Sequence, residues 1–293
     1  YCGAYYLSDF QPQEKRVLSK NTLNWDADQV FIEKLEYLFN KEATTVAPEM
    51  YLRREVDEAE IDSAIATEWL ADPEKADFIR PVRQTGFYSY FYTFNFDPQF
   101  DAAYEPDNWK IAVNNENFRK ALYHGLDRVK AMLITDPENP ESLIFNTVTP
   151  PEFVTLNGVD YTDMGDVAAI TALGTATFDE SKAAEYRDAA KAELEAAGAT
   201  FPVKILMPYN PNVIGWDEEC QVVEQQLEGL LGADFIDIII EAGPSTGFLS
   251  EVRRSGKYAF MKCNWGPDYA DPQTYTDPFS DGNSYNFMYT GLE

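Results

Sequence analysis

The chain has 293 residues, 45% of them hydrophobic and 14% aromatic, which excludes a disordered segment and leaves room for one large domain or two smaller ones. Its 23 Lys and Arg face 50 Asp and Glu, a formal charge of −27 that repels phosphate backbones and anionic lipid, so no nucleic-acid partner is expected. The longest strongly apolar stretch, Phe235 to Ile240, falls far short of the roughly 20 residues that span a bilayer.

Residues Tyr5 to Phe10 and Val17-Leu18 read as a hairpin around Gln11-Pro12-Gln13. Ile32 to Phe39 reads as a strand with Leu35, Tyr37 and Phe39 on one face. Helical patterns follow over Thr44 to Arg53 and Ser63 to Leu70. Asp72-Pro73 and Arg80-Pro81 punctuate the chain, and a lobe boundary is placed near residue 80, giving domains 1–80 and 81–293.

Phe87 to Phe96 carries seven aromatics, a run that suits a strand buried on both faces. Asn115 to Ile134 has the 3.6-residue periodicity of one long amphipathic helix, with Asn115 as its cap. Asp179 to Ala197 is an Ala-rich helix capped by Asp179 and ended by Gly198. Then come a strand (Val203 to Met207), a helix (Glu218 to Leu231), a strand (Phe235 to Ile240), a short helix (Ser245 to Arg254) and a strand (Tyr258 to Asn264). That alternation predicts an α/β unit with parallel βαβ connections, in which ligands sit beyond the carboxyl ends of strands.

Catalytic signals are missing. The single histidine, His124, sits mid-helix beside Leu122 and Leu126 and reads as structural. One histidine excludes a His-based metal cluster, and no Gly-rich phosphate loop occurs. Cys2, Cys220 and Cys263 have neither disulfide-framework nor zinc spacing. Asp26-Ala27-Asp28 lacks the Gly and closing Glu of a calcium loop. Paired acids such as Glu218-Glu219 read as solvated faces. One loop stands out: Asn264-Trp265-Gly266-Pro267-Asp268-Tyr269-Ala270-Asp271-Pro272 leaves a predicted strand with an aromatic and a carboxylate stiffened by two prolines. Such a pair suits a cationic ligand.

Here the chain resembles the oligopeptide-binding receptors of ABC importers, the bacterial extracellular solute-binding proteins of family 5. The similarity lies in Tyr90 to Asn95, in Phe118-Arg119-Lys120-Ala121-Leu122 through Leu126-Asp127-Arg128, in Trp265 to Pro272, and in the opening Cys2 to Leu7 with Asn21 to Asp26. The chain departs from the family with Asn264 in place of a Gly before the Trp, and with Arg54 in place of a Gly in Arg54-Glu55-Val56-Asp57, which puts that turn in question.

The resemblance implies a periplasmic-binding-protein-like fold of type II, cluster C. The chain would be an internal fragment holding part of the first lobe and much of the second, without its signal, lipid anchor or return segment. It implies a monomeric, non-enzymatic receptor without cofactor, periplasmic or anchored at the cell surface, that closes on a peptide and delivers it to a membrane permease. By the same resemblance Asp268 holds the peptide's α-ammonium group, the strand Asn264 to Gly266 including Trp265 pairs with its backbone, and Lys262 and Arg253 hold its carboxyl end. Asp127-Arg128 is taken as structural, paired locally. Two rivals remain: the same fold holding a nickel complex, an opine or an oligosaccharide, or a secreted acidic glycan hydrolase, which would need two carboxyl groups about 5 to 9.5 Å apart in one cleft.

Overall fold

The computed structural model describes residues 2–40, 42–61, 63–80, 87–280 and 283. The chain divides into two compact units, Tyr1–Val82 and Arg83–Glu293.

The first unit opens with an antiparallel meander: β1 (Tyr5–Gln11), β2 (Lys15–Lys20) and β3 (Lys34–Leu38). Gln13 turns the predicted hairpin with a φ of 60°. Asn21, buried after β2, holds the unit's start: its amide donates to the Gly3 carbonyl at 3.0 Å and its side-chain oxygen accepts from Leu23 N at 3.1 Å. The apolar face expected on β3 is open, with Tyr37 45% and Phe39 53% exposed. Two helices follow, α1 (Ala43–Leu52) and α2 (Ser63–Ala71). The turn that ends α1 forms although it lacks a glycine: Arg54 takes a φ of 61°, and Glu55 N reaches back to the Met50 carbonyl at 2.9 Å. A left-handed residue closing that bond is the usual helix stop, here built on an arginine.

The second unit begins with β4 (Ser89–Phe94), then α3 (Pro106–Asn114), α4 (Glu116–Gly125) and α5 (Arg128–Met132). A small β5/β6 ribbon (Thr155–Leu156, Val159–Asp160), α6 (Gly165–Thr171) and α7 (Glu180–Ala196) lead to β7 (Val203–Tyr209). The chain continues through α8 (Trp216–Leu231), β8 (Ile236–Ala242), a π-helical turn (Leu249–Arg253), β9 (Phe260–Trp265) and α9 (Gln273–Thr276).

β7, α8 and β8 form the predicted parallel unit, in register from Val203 against Ile236 to Tyr209 against Ala242. The core lies where α3, α4, α7 and α8 cover this pair. Trp109 meets Phe118 edge-on at 5.9 Å, Phe118 meets Phe235 at 5.8 Å, and all three are at most 1% exposed. Ile205, Met207, Leu227 and Leu231 fill the space between sheet and helices. β9 runs antiparallel to β4, and Ala259 ties it to β7 by donating to the Leu206 carbonyl at 2.8 Å.

Two expectations change. The single helix over 115–134 is two, because Leu126 and Asp127 are extended; Asp127 then caps α5, accepting from Val129 N at 3.1 Å. Asn115 does cap α4, through Phe118 N at 2.8 Å. β4 is not buried on both faces. Tyr88 and Tyr90 are 52% and 62% exposed, whereas Tyr92 and Phe94 further along the same face border a cavity and also pack on the core beside Phe260.

Candidate functional site

The site grows from the carboxyl end of β9. Ser89 pairs across from Trp265 and Tyr90 from Asn264, so β4 fixes the point at which the chain leaves the sheet. The loop beyond that point is anchored from behind. Tyr275 is fully buried and donates its hydroxyl to the Phe87 carbonyl, with its ring edge-on to Phe153 at 5.1 Å. Thr274, 1% exposed, accepts from Asp268 N at 2.8 Å. A loop pinned at its middle and at its exit holds Asp268 in place without using its side chain.

Asp268 is exposed. Among the described residues no Lys or Arg lies within ion-pair distance of it, nor of its neighbours Asp271 and Asp277. Asp271 caps the turn that follows, its carboxylate accepting from Gln273 N at 2.9 Å. Tyr269 donates to Asp277 at 2.6 Å, and this bond, followed by burial and then by the charges of Asp277, Asp271 and Asp268, pushes its hydroxyl up to about 12. The end of β9 is a field of negative charge.

Gly266 leaves room for the half-exposed Tyr88 ring, which would have to shift if a side chain stood there. A Cβ there would sit 2.9 Å from the Tyr88 ring, closer than real side chains come. Trp265 is half-buried at the end of β9.

The two basic residues are engaged inside the protein. Arg253, on the π-helical turn, donates to the Asn264 carbonyl at 2.7 Å and to its side-chain oxygen at 3.3 Å. Lys262 donates to Glu219 and lies over the Trp216 ring at 5.4 Å.

Glu219 escaped the sequence reading, which took Glu218-Glu219 as a solvated face. Glu218 is exposed, but Glu219 is 1% exposed and accepts from both Lys262 and the Tyr92 hydroxyl. Burial first, then the Glu219 charge and hydrogen bond, hold the Tyr92 hydroxyl well above its usual range. The signal was in the spacing: Glu219 shares the i, i+4, i+8, i+12 stripe of α8 with Val223, Leu227 and Leu231, a lone carboxylate on an apolar face. A buried charge so placed needs a partner.

The remaining expectations resolve simply. His124 is structural: its Nδ1 lies 2.9 Å from the Thr177 carbonyl and its ring stacks on Tyr186 at 5.6 Å. Arg128 does not pair with Asp127; it reaches the Phe145 carbonyl at 3.2 Å, Asn146 at 2.6 Å and Thr177 at 3.0 Å, fastening two loops. Among the described residues no three His, Cys, Asp or Glu side chains form a metal cluster, and no helix is long and apolar enough to cross a membrane.

The chain is 24% identical to the oligopeptide-binding protein AliB of Streptococcus pneumoniae serotype 4 (strain ATCC BAA-334 / TIGR4), over 100% of this chain and 48% of that protein. It is 27% identical to AliA of the same strain, over 94% and 46%. It thus spans about half the length of the curated relatives it matches. Among solved structures it is similar to the pheromone receptor PrgZ (21% identity, TM-score 0.65, 97% of this chain and 50% of that one). It is also similar to Listeria monocytogenes OppA bound to peptide (19% identity, TM-score 0.65, 98% and 50%). These likenesses give the fold, that of the type II periplasmic-binding-protein class over the part this chain spans. The family profile described as "Bacterial extracellular solute-binding proteins, family 5 Middle" matches residues 1–287, and the chain therefore belongs to the bacterial extracellular solute-binding proteins of family 5.

Proposed function

We propose that the protein containing this chain is the oligopeptide receptor of an ABC importer, extracytoplasmic and anchored or periplasmic, with no catalytic role. Residues 1–80 belong to its first lobe and residues 81–293 to its second, and ligand capture closes the lobes by stabilising the closed state. A peptide is delivered from that state to the membrane permease.

The observation that carries this reading is Asp268: an exposed carboxylate on a loop pinned through Thr274 and Tyr275, with no Lys or Arg within ion-pair distance among the described residues and two further carboxylates nearby. It is set to receive an ammonium group, and the peptide α-ammonium is the one every unmodified peptide offers. Trp265 and Gly266 supply the adjoining wall and backbone. Lys262 and Arg253 are assigned to the protein's own Glu219 and Asn264 rather than to the ligand's carboxyl end. The AliA and AliB likenesses support the peptide class.

Calorimetric titration of the full-length protein with a pool of short peptides tests the proposal. We expect micromolar or tighter binding, lost at least hundredfold in Asp268→Ala and equally lost when the peptides are N-acetylated. Undiminished binding of acetylated peptides would remove the ammonium clamp. Heat with a sugar or a metal chelate, and none with any peptide, would replace the ligand class.

A further inference from the structure

Only Trp265, Gly266 and Pro267 separate Asp268 from Asn264. Whatever fixes Asn264 therefore limits where the Asp268 carboxylate can go, the more so because Pro267 holds its own φ. Downstream, Thr274 accepts from Asp268 N, and Tyr275 ties the exit of the loop to the Phe87 carbonyl. Upstream, β4 pairs with β9 as far as Ser89 against Trp265. At the same point Arg253 adds a brace from a different element.

Arg253 ends the π-helical turn Leu249–Arg253, and its main chain has a firm base. Val252, 6% exposed, packs in a small core with Tyr258, Met261 and Cys263. Lys257 N donates to the Val252 carbonyl at 3.0 Å, and the Gly256 carbonyl accepts from the Asn95 amide at 2.8 Å and from Gln99 N at 2.9 Å. From this base the guanidinium reaches one residue at two atoms: Nη2 donates to the Asn264 carbonyl at 2.7 Å and Nη1 to its side-chain oxygen at 3.3 Å. A planar guanidinium presents its donors as a rigid fork, so two bonds to one residue set orientation as well as distance. Asn264 is also where this chain departs from the family's glycine. A glycine has no side-chain oxygen to offer, so the second bond belongs to this sequence.

We propose that Arg253 and Asn264 are positioning residues of the ammonium site: their fork fixes the end of β9, and with it the Asp268 carboxylate, before any ligand arrives. This rests on the peptide reading and adds to it how the clamp is set. A loop already ordered in the free protein loses little conformational freedom on capture, and preorganisation of that kind raises affinity without a new contact. Arg253 acts through Asp268 and touches no ligand.

The test uses the full-length protein as wild type, Arg253→Gln, Asn264→Ala, Asp268→Ala and the double variant Arg253→Gln/Asp268→Ala, each titrated calorimetrically with tetraalanine and with its C-terminal amide. We expect Arg253→Gln to bind both peptides at least tenfold more weakly and Asn264→Ala about threefold more weakly, because each loosens the loop. In the Asp268→Ala background the further loss from Arg253→Gln should fall below about twofold, since residues that act through one group are not additive. In the ligand-free proteins, the amides of Trp265, Gly266 and Asp268 should exchange hydrogen at least tenfold faster in Arg253→Gln and also faster in Asn264→Ala, with the β7/β8 pair unchanged. Asn264→Ala keeps Arg253 and its main-chain bond, and it carries the same test should Arg253→Gln fail to fold.

Unchanged exchange at residues 265–268, unchanged peptide binding in both single variants, or a loss in Arg253→Gln that persists in full without Asp268 would each overturn the proposal while leaving the peptide reading intact. So would a loss seen with tetraalanine and absent with its amide, which would make Arg253 a contact of the ligand's carboxyl end. Faster exchange at residues 265–268 with no peptide bound even by wild type would uphold the brace on Asp268 and remove the peptide class. Unchanged exchange together with no peptide binding would overturn both.

Discussion

Lys262, on β9, donates its ammonium proton to Glu219, a carboxylate on the first turn of α8 that is 1% exposed. The contact joins the sheet strand leading to Asp268 to the helix of the parallel β7–α8–β8 unit. Tyr92 on β4 donates to the same carboxylate, so three elements converge on one buried charge.

Removing either partner strands the other. Lys262→Met leaves the Glu219 carboxylate buried with only Tyr92, and Glu219→Leu leaves an ammonium without its anion. Each single change is expected to cost about 3–5 kcal/mol, while the double variant recovers much of that loss because no unpaired charge remains. Urea unfolding of the four proteins completes the cycle. Single variants within about 1 kcal/mol of wild type, the range of a surface pair, would show that the pair is not buried in solution.

Asn95 is the second polar anchor of this region. Its amide donates to the Gly256 and Tyr258 carbonyls, both at 2.8 Å, and its side-chain oxygen accepts from Asp97 N at 3.0 Å. Asn95→Ala removes the Asn95 partner of the Tyr258 carbonyl and of Asp97 N in a site that is 8% exposed, while the Gly256 carbonyl keeps Gln99 N at 2.9 Å, and a cost of about 1–3 kcal/mol is expected. Thermal unfolding reads the loss; hydrogen exchange should place it at residues 256–258.

Arg54 holds a left-handed conformation, φ 61°, in which a side chain is strained. Arg54→Gly should therefore stabilise the first unit by about 1 kcal/mol. An unchanged or lowered midpoint in a thermal melt of the full-length protein would mean that the arginine side chain contributes a contact that offsets the strain.

Burial pushes the thiols of Cys220 and Cys263 up to about 12. A thiol reagent at pH 8 is expected to label Cys2, which is exposed, at least a hundredfold faster than either, and all three equally once guanidinium unfolds the chain. Both buried thiols hold their protons more tightly folded than unfolded, so their contribution to stability is full below about pH 9 and is lost as pH rises towards about 12. Rapid native labelling of Cys220 would expose an opening of α8.

The sequence by itself determined the elements whose signals are local. Caps at Asn115 and Asp179, the stop at Gly198 and the β7–α8–β8 alternation need only neighbours in the chain, because capping and periodicity act over one or two turns. The loop bearing Trp265 and Asp268 was legible for the same reason: its prolines and its aromatic-acid pairing lie within nine residues. Only the tertiary structure decided which charges are paired with one another among the described residues. Lys262 meets Glu219 across 43 positions of sequence and Arg253 meets Asn264 across a turn and a strand, so both cations are internal while Asp268 is left facing outward. Long-range contacts likewise accompany the break of the helix at Leu126-Asp127, where the main-chain N–H of Asp127 donates to Gln226 of α8 at 2.9 Å, and they leave Tyr90 of β4 exposed while Tyr92 and Phe94 pack on the core. Charge pairing and cavity formation depend on which elements come together, and that is set by packing rather than by the order of residues along any one of them.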